Sequence, residues 1–316
     1  MDLEKKVTVK NLQNNFEKNF YKILPFFYEM QTTFLSGIYK RYGDLEGGQI
    51  VIYFARDLHL RVMRKREEDL NFDLSLEKFW FNHHNTPQNQ HKIIAVARYT
   101  GLPKETARRK ILLLTKDKHL KKTSKNKLYW EPASQYKETY VTIIKEQINS
   151  LSKFLYEQSK CLSMDIPFNK FYKEIEKNYC FYWYHYLNAQ LEYMKFWQLK
   201  TKDLEILLIG LQSLIQSFNY FKLKSNKGLG GPSVVYPDIS ATSVSEVTGI
   251  PRATCIRKLE WLCKAKFIKK DLENKRYHLL HDKFTENILN HPLANIKATV
   301  EIFTEFSLII YRSLLR

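Results

Sequence analysis

TGLPKETARRKILLLTKDKHLKKTSKNKLYW (Thr100 to Trp130) and TGIPRATCIRKLEWLCKAKFIKKDLENKRYH (Thr248 to His278) align without a gap at a constant offset of 148 residues. In the first copy, Ile93, Ile94, Val96 and Ala97 of HKIIAVARYT give a short helix one apolar face. Thr100-Gly101 ends it, because glycine takes the positive φ of a tight turn without steric penalty. Leu102 plugs the core, and Pro103 suits the first turn of the next helix, where its missing N–H costs nothing. That helix buries Ala107, Ile111 and Leu114 and turns Lys104, Glu105, Arg108, Arg109 and Lys116 outward. From Leu120, LKKTSKNKLYW reads as a basic hairpin with Asn126-Lys127 at its turn.

The second copy repeats every part. Ser243-Val244 through Val247 form the short helix, and Gly249, Ile250 and Pro251 the turn. Cys255, Leu259, Leu262 and Ile268 form the buried face, and Arg252, Arg257, Lys258 and Lys264 the basic one. Its hairpin is IKKDLENKRYH, with Asn274-Lys275 matched to Asn126-Lys127. Helix, glycine turn, basic helix and basic hairpin make a winged helix-turn-helix, about residues 90–130 and again about 239–278. Such a helix fits the major groove of DNA, and the hairpin tip lies against phosphate.

The flanks repeat as well. Phe16, Phe20, Leu24, Phe27, Phe34 and Ile38 predict one long helix kinked at Pro25, and Phe168, Phe171, Ile175, Tyr179, Tyr182, Tyr186, Leu191 and Met194 predict another. An Asp-Leu-Glu opens the next helix in each case, at Asp44 to Glu46 and Asp203 to Glu205, with acid at its positive end. After the hairpins, Tyr140, Ile144, Leu151 and Leu155 mark one trailing helix, and Ile296, Val300, Phe303, Phe306, Ile310 and Leu314 another. The fold expected is mainly α with small β-wings: two tandem winged helix-turn-helix units with long flanking helices, over residues 1–160 and 165–316. From Asp-Leu-Glu to the glycine turn is 57 residues in the first half and 46 in the second. The first therefore holds an insertion near FDLSLEKFWFNHHNTPQNQ, and the second a glycine-rich stretch, NKGLGGPSVVYP.

This order of elements resembles the MarR family of bacterial transcriptional regulators. In that family a long N-terminal helix, a winged helix-turn-helix and C-terminal helices make one subunit, and two subunits pair through their terminal helices. The resemblance implies a fused dimer that holds two readers at a fixed spacing. Lys104, Glu105 and Arg109 also resemble the recognition-helix pattern of the catabolite-activator family. In the second copy Arg252 and Arg257 match, but Ala253 replaces the acid, so the two half-sites are expected to differ.

The whole composition agrees with a polyanionic partner. The 316 residues are 44% hydrophobic and 14% aromatic, ample for packed cores, yet carry a net charge of +18. The most apolar run, Leu204 to Ile215, is too short to span a bilayer, and no signal peptide is read at the N-terminus. Cys161, Cys180, Cys255 and Cys263 lack CxxC spacing and read as reduced, packed thiols of a cytoplasmic protein, which DNA binding would make nucleoid-associated.

The expected function is sequence-specific binding of double-stranded DNA in transcription regulation. Specificity falls to Lys104, Glu105, Thr106, Arg108, Arg109, Arg252, Thr254, Arg257 and Lys258 of the recognition helices. Affinity falls to the wing residues Lys121, Lys122, Lys125, Lys127, Lys269, Lys270, Lys275 and Arg276. A plasmid-type replication initiator, which also carries tandem winged helices, and a winged-helix protein-assembly module are the alternatives. No nucleotide-binding glycine signature, nucleophile elbow or HExxH occurs, so neither an enzyme nor a cofactor is expected. His83, His84 and His91 read as a solvated loop rather than a metal site. The aromatic run YCFYWYHYL, Tyr179 to Leu187, reads as packing between the halves, with a small-molecule effector pocket as the sharper alternative. The tail from Ile296 to Leu314 packs either within the chain or against a second copy.

Overall fold

Asparagine, not proline, sets the first break in the chain. In a computed structural model that describes residues 7–226, 238–280 and 292–315, helix α1 (Val9–Lys18) stops at Asn19 and α2 (Phe20–Tyr42) starts directly after it. Asn19 leaves helical geometry at φ −114° and ψ 23°, and its amide Nδ2 donates to Asn15 Oδ1 at 2.9 Å. Asn178 does the same between α8 (Phe168–Lys177) and α9 (Tyr179–Thr201), with Nδ2 on Glu174 Oε1 at 2.9 Å. The two long helices expected from periodicity are therefore two broken pairs, and Pro25 lies inside α2. A short amide side chain bonds locally in non-helical geometry, here onto the side chain four residues back, which favours asparagine at both interruptions.

The remaining helices of the first half are α3 (Leu45–Glu68), α4 (Leu76–Asn82), α5 (Ile93–Thr100), α6 (Lys104–Lys116) and α7 (Lys137–Cys161). Those of the second are α10 (Leu204–Asn226), α11 (Ala241–Thr248), α12 (Arg252–Lys264) and α13 (Pro292–Leu315). The strands β1 (Leu120–Lys122) and β2 (Leu128–Trp130) form one antiparallel hairpin, and β3 (Ile268–Lys270) and β4 (Tyr277–Leu279) the other. The described chain is thus mainly helical with two small two-stranded sheets. The glycine-rich residues 227–237 and the side chain of Ile296 lie outside the described residues.

Packing follows an approximate twofold. α2 lies along α7 as α9 lies along α13; α3 crosses onto α9 as α10 crosses onto α2; α1 touches α13 as α7 touches α8. Rings carry the same exchange. Phe27 meets Tyr193 edge-on at 6.1 Å, and Phe34 meets Tyr186 edge-on at 5.4 Å. Gln31 and Gln190, the equivalent positions between these pairs, are both fully buried. The two halves share one continuous core. Tyr179, Tyr182, Trp183, Tyr186 and Leu187 of the aromatic run are all buried in it, as packing between the halves requires.

The insertion is structured, which corrects its reading as a solvated loop. Leu74, Leu76, Phe79, Trp80 and His83 are buried. Phe79 stacks on His59 of α3 at 4.4 Å and meets Tyr179 of α9 at 5.4 Å. The Leu74 carbonyl accepts the Cys180 N–H at 2.9 Å, so the insertion also caps the start of α9 in the other half. Four apolar side chains draw the segment inward, and His83 follows by donating Nδ1–H to the Trp80 carbonyl at 2.6 Å. Among the described residues no helix is long and apolar enough to cross a membrane.

Candidate nucleic-acid interface

Each short helix is joined to the basic helix that follows it by the same three devices. Gly101 and Gly249 end α5 and α11 at φ 75° and 79°, where a side chain would be strained. Thr100 and Thr248 back-bond to the Val96 and Val244 carbonyls at 2.9 and 2.7 Å. Leu102 and Ile250 then bury beneath the turn. Pro103 and Pro251 are the last non-helical residues before α6 and α12, one position earlier than a first-turn proline.

α6 buries Ala107, Ile111 and Leu114, and α12 buries Cys255, Leu259 and Leu262, as their spacing predicts. Ile94 is an exception: α5 turns it outward, 48% exposed, and buries Thr100 instead. Each hairpin gains a third bridging residue, His91 opposite Leu128 and Ile239 opposite Tyr277. This register shows that the second wing is one residue longer. Ile268 follows Leu120 by 148 residues, but Tyr277 follows Leu128 by 149. The left-handed turn residues are accordingly Asn126 (φ 58°) and Lys275 (φ 56°), so the matching of Asn126-Lys127 to Asn274-Lys275 is off by one.

The candidate contact residues fall into three states. Lys104, Arg109, Lys122, Lys125, Lys269, Lys275 and Arg276 are exposed, Lys127 is half-buried, and none makes an ion pair among the described residues. A second group is exposed but already engaged. Arg108 forks onto Glu105, Nη2 to Oε1 at 2.6 Å, and this bond holds the Glu105 carboxyl below its ordinary range. Arg252 donates to Thr242 Oγ1 at 3.0 Å, Arg257 to Thr254 Oγ1 at 3.3 Å, and Lys121 to Glu131 at 2.7 Å. Lys270 is half-buried 3.7 Å from Glu260, while Thr106 and Thr254 are half-buried beside their helices' exposed faces.

Lys258 is in the third state. It points back into the chain, onto Asp203 and toward Glu205 at 3.8 Å. Its counterpart Lys110, which the sequence reading did not single out, is 2.7 Å from Asp44 and 3.1 Å from Glu46. The recurrence of Asp-Leu-Glu and of the lysine at one position in both copies is the only trace of this pairing in the sequence, since the partners lie far apart along the chain.

The two basic segments differ in charge. Residues 91–131 carry twelve basic and three acidic side chains, and residues 238–280 nine and five. Cys161, Cys180, Cys255 and Cys263 are free thiols. His83 and His84 meet ring to ring at 3.7 Å, with His83 buried and His84 facing Glu131, while His91 stands apart on Asp57 and Tyr53. An internal cavity of about 20 Å³ lies where α2, α3, α7, α9 and β2 meet, bounded by Arg41, His59, Trp130, Gln147 and Trp183 among others. Its volume matches one water molecule rather than a phenolic ring. No family model, curated protein or solved structure matches this chain.

Proposed function

We propose that the chain is a sequence-specific double-stranded-DNA-binding regulator of transcription. In this reading each half is a winged helix-turn-helix unit, and the chain is a single-polypeptide pseudo-dimer. The observation that carries it is the pair of turn-helix-hairpin segments, matched element for element, each presenting an exposed basic helix face beside a basic hairpin. A MarR-like arrangement accounts for the shared helical core, whose twofold relates the two basic helices.

On DNA, α6 and α12 enter successive major grooves about 34 Å apart, and the wings lie on flanking phosphates. Arg109 and Arg257 occupy equivalent places and suit guanine, whose O6 and N7 accept a forked pair of bonds. Glu105 and Ala253 make the two readers unlike. The working location is the nucleoid of the cytoplasm, and an effector seated against the aromatic run would have to enlarge the small cavity there.

Selection from a random duplex library tests the reading. The parent chain enriches a two-part sequence, and the Arg109→Glu/Arg257→Glu variant, with both substitutions on exposed faces, loses that enrichment while keeping its fold. A scaffold that binds only protein enriches nothing, and clustered direct repeats in place of one bipartite site favour a replication initiator.

A further inference from the structure

Lys110 and Lys258 lie on the two proposed reader helices, yet their side chains are only 18% and 20% exposed. Each inserts its ammonium between an aspartate that caps a body helix and the glutamate two residues on. Asp44 accepts the Gly47 N–H at 2.7 Å at the start of α3, and Asp203 accepts the Glu205 N–H at 2.8 Å at the start of α10. Burial alone would lower the Lys110 ammonium, but its bonds to Asp44 and Glu46 outweigh that and raise it. An ammonium held this way is not free to neutralise a phosphate.

The two clusters also adjoin. Burial and then Asp203 hold the Glu205 carboxyl above its ordinary range, Lys258 opposes them, and the first half's Asp44 and Lys110 act on it as well. Tyr39, near the end of α2, is raised by burial and then by Glu205 and Asp44, one carboxylate from each cluster. A Cβ on Gly249 would lie 3.7 Å from both Tyr39 and Lys40, so the second turn is braced on the first half's helix beside the same clusters. Four carboxylates against two ammoniums leave this centre net negative, between two basic readers.

We propose that Lys110 and Lys258 are positioning residues: with Asp44, Glu46, Asp203 and Glu205 they form a double ionic clamp that fixes the distance between α6 and α12, and with it the half-site spacing that the chain accepts. The spacing clause rests on the DNA-reading proposal; the distance clause does not.

The test separates the two. Spin labels at Ser124→Cys and Leu272→Cys, one on each exposed wing, are placed in a Cys161→Ser/Cys263→Ser background. The distance between them is recorded without DNA for the parent, Lys110→Gln/Lys258→Gln and Lys110→Arg/Lys258→Arg. The same chains then meet duplexes whose selected half-sites are separated by different spacers. The clamp predicts one narrow distance distribution in the parent, a broad one in the glutamine variant and recovery in the arginine variant. It also predicts a preference for one spacer that falls at least threefold with glutamine and returns with arginine. A glutamine variant that keeps the narrow distribution and the spacer preference, but binds every duplex more weakly with a shallower salt slope, overturns the proposal and makes the lysines phosphate contacts. If the parent binds no duplex, the DNA reading fails and the distance distributions alone decide the clamp. Should the double variant not fold, each single glutamine variant is read in the same way, since the other clamp remains intact.

Discussion

Phe34 of the first half and Tyr186 of the second meet edge to face, their ring centroids 5.4 Å apart, and the exchange of halves turns this pair into Phe27 and Tyr193 at 6.1 Å. All four rings are buried, so the contact between halves is core rather than surface. A core shared in this way makes the halves unfold together. Truncating Tyr186 to alanine removes a fully buried ring and costs about 3–5 kcal/mol. Chemical denaturation followed by tryptophan fluorescence and by circular dichroism gives one coincident transition in parent and variant. Two separated transitions would show halves that fold alone.

Phe79 ties the insertion to both halves through His59 and Tyr179. Phe79→Ala is expected to lower stability by about 3–5 kcal/mol. It should also speed hydrogen exchange at the start of α9, where Leu74 holds the Cys180 amide. Stability lost without faster exchange there would mean that the insertion does not anchor α9.

Burial, then His83 nearby, lowers the His59 ring to about 3, and burial, then His84, lowers the His83 ring to about 4. Both rings are neutral in the folded chain and take up protons near 6.5 once unfolded. The unfolded state therefore binds more protons below about pH 6.5, and stability falls as pH drops from there toward about 4. Each histidine contributes up to about 1.4 kcal/mol per pH unit in that window. Denaturation midpoints at pH 7, 6 and 5 should show a shallower decline in His59→Phe than in the parent. Equal declines would place the ring in contact with solvent.

The first basic segment carries the larger excess of positive charge, so its wing should dominate the salt response. Replacing Lys122, Lys125 and Lys127 with glutamine is expected to reduce the slope of log K against log salt by about 2–3, from a parent value of roughly −5. Glutamine at Lys269, Lys270 and Lys275 of the second hairpin should reduce it less, because Lys270 is already drawn to Glu260. Anisotropy titrations at several salt concentrations measure both, and equal changes would mean that the wings share the phosphates evenly.

Much of this architecture is legible in the sequence because its signals are local and doubled. Ala107, Ile111 and Leu114 lie on one helical face, as do Cys255, Leu259 and Leu262, and Gly101 and Gly249 mark the same turn. Where two local signals compete, the reading goes astray. Pro25 is the stronger helix breaker in isolation, yet Asn19 and Asn178 break the helices because each amide has an acceptor one turn back. The insertion's histidines and asparagines mask Phe79, which packs on α3 and α9, and Trp80, which meets Tyr140 of α7, all remote in sequence. One extra residue in the second wing is invisible where lysine and asparagine recur. Lys258 looks like any other basic residue of its helix, and only the fold brings Asp203, 55 residues away, beside it.

Hydroxyl-radical footprinting of the best selected duplex tests the central claim most directly. Two protected patches on one face, about one helical turn apart and unlike in sequence, are predicted. Arg109→Glu should erase one patch and Arg257→Glu the other. Uniform protection that ignores sequence, or a single patch lost with either substitution, would contradict a chain that reads DNA with two separate helices.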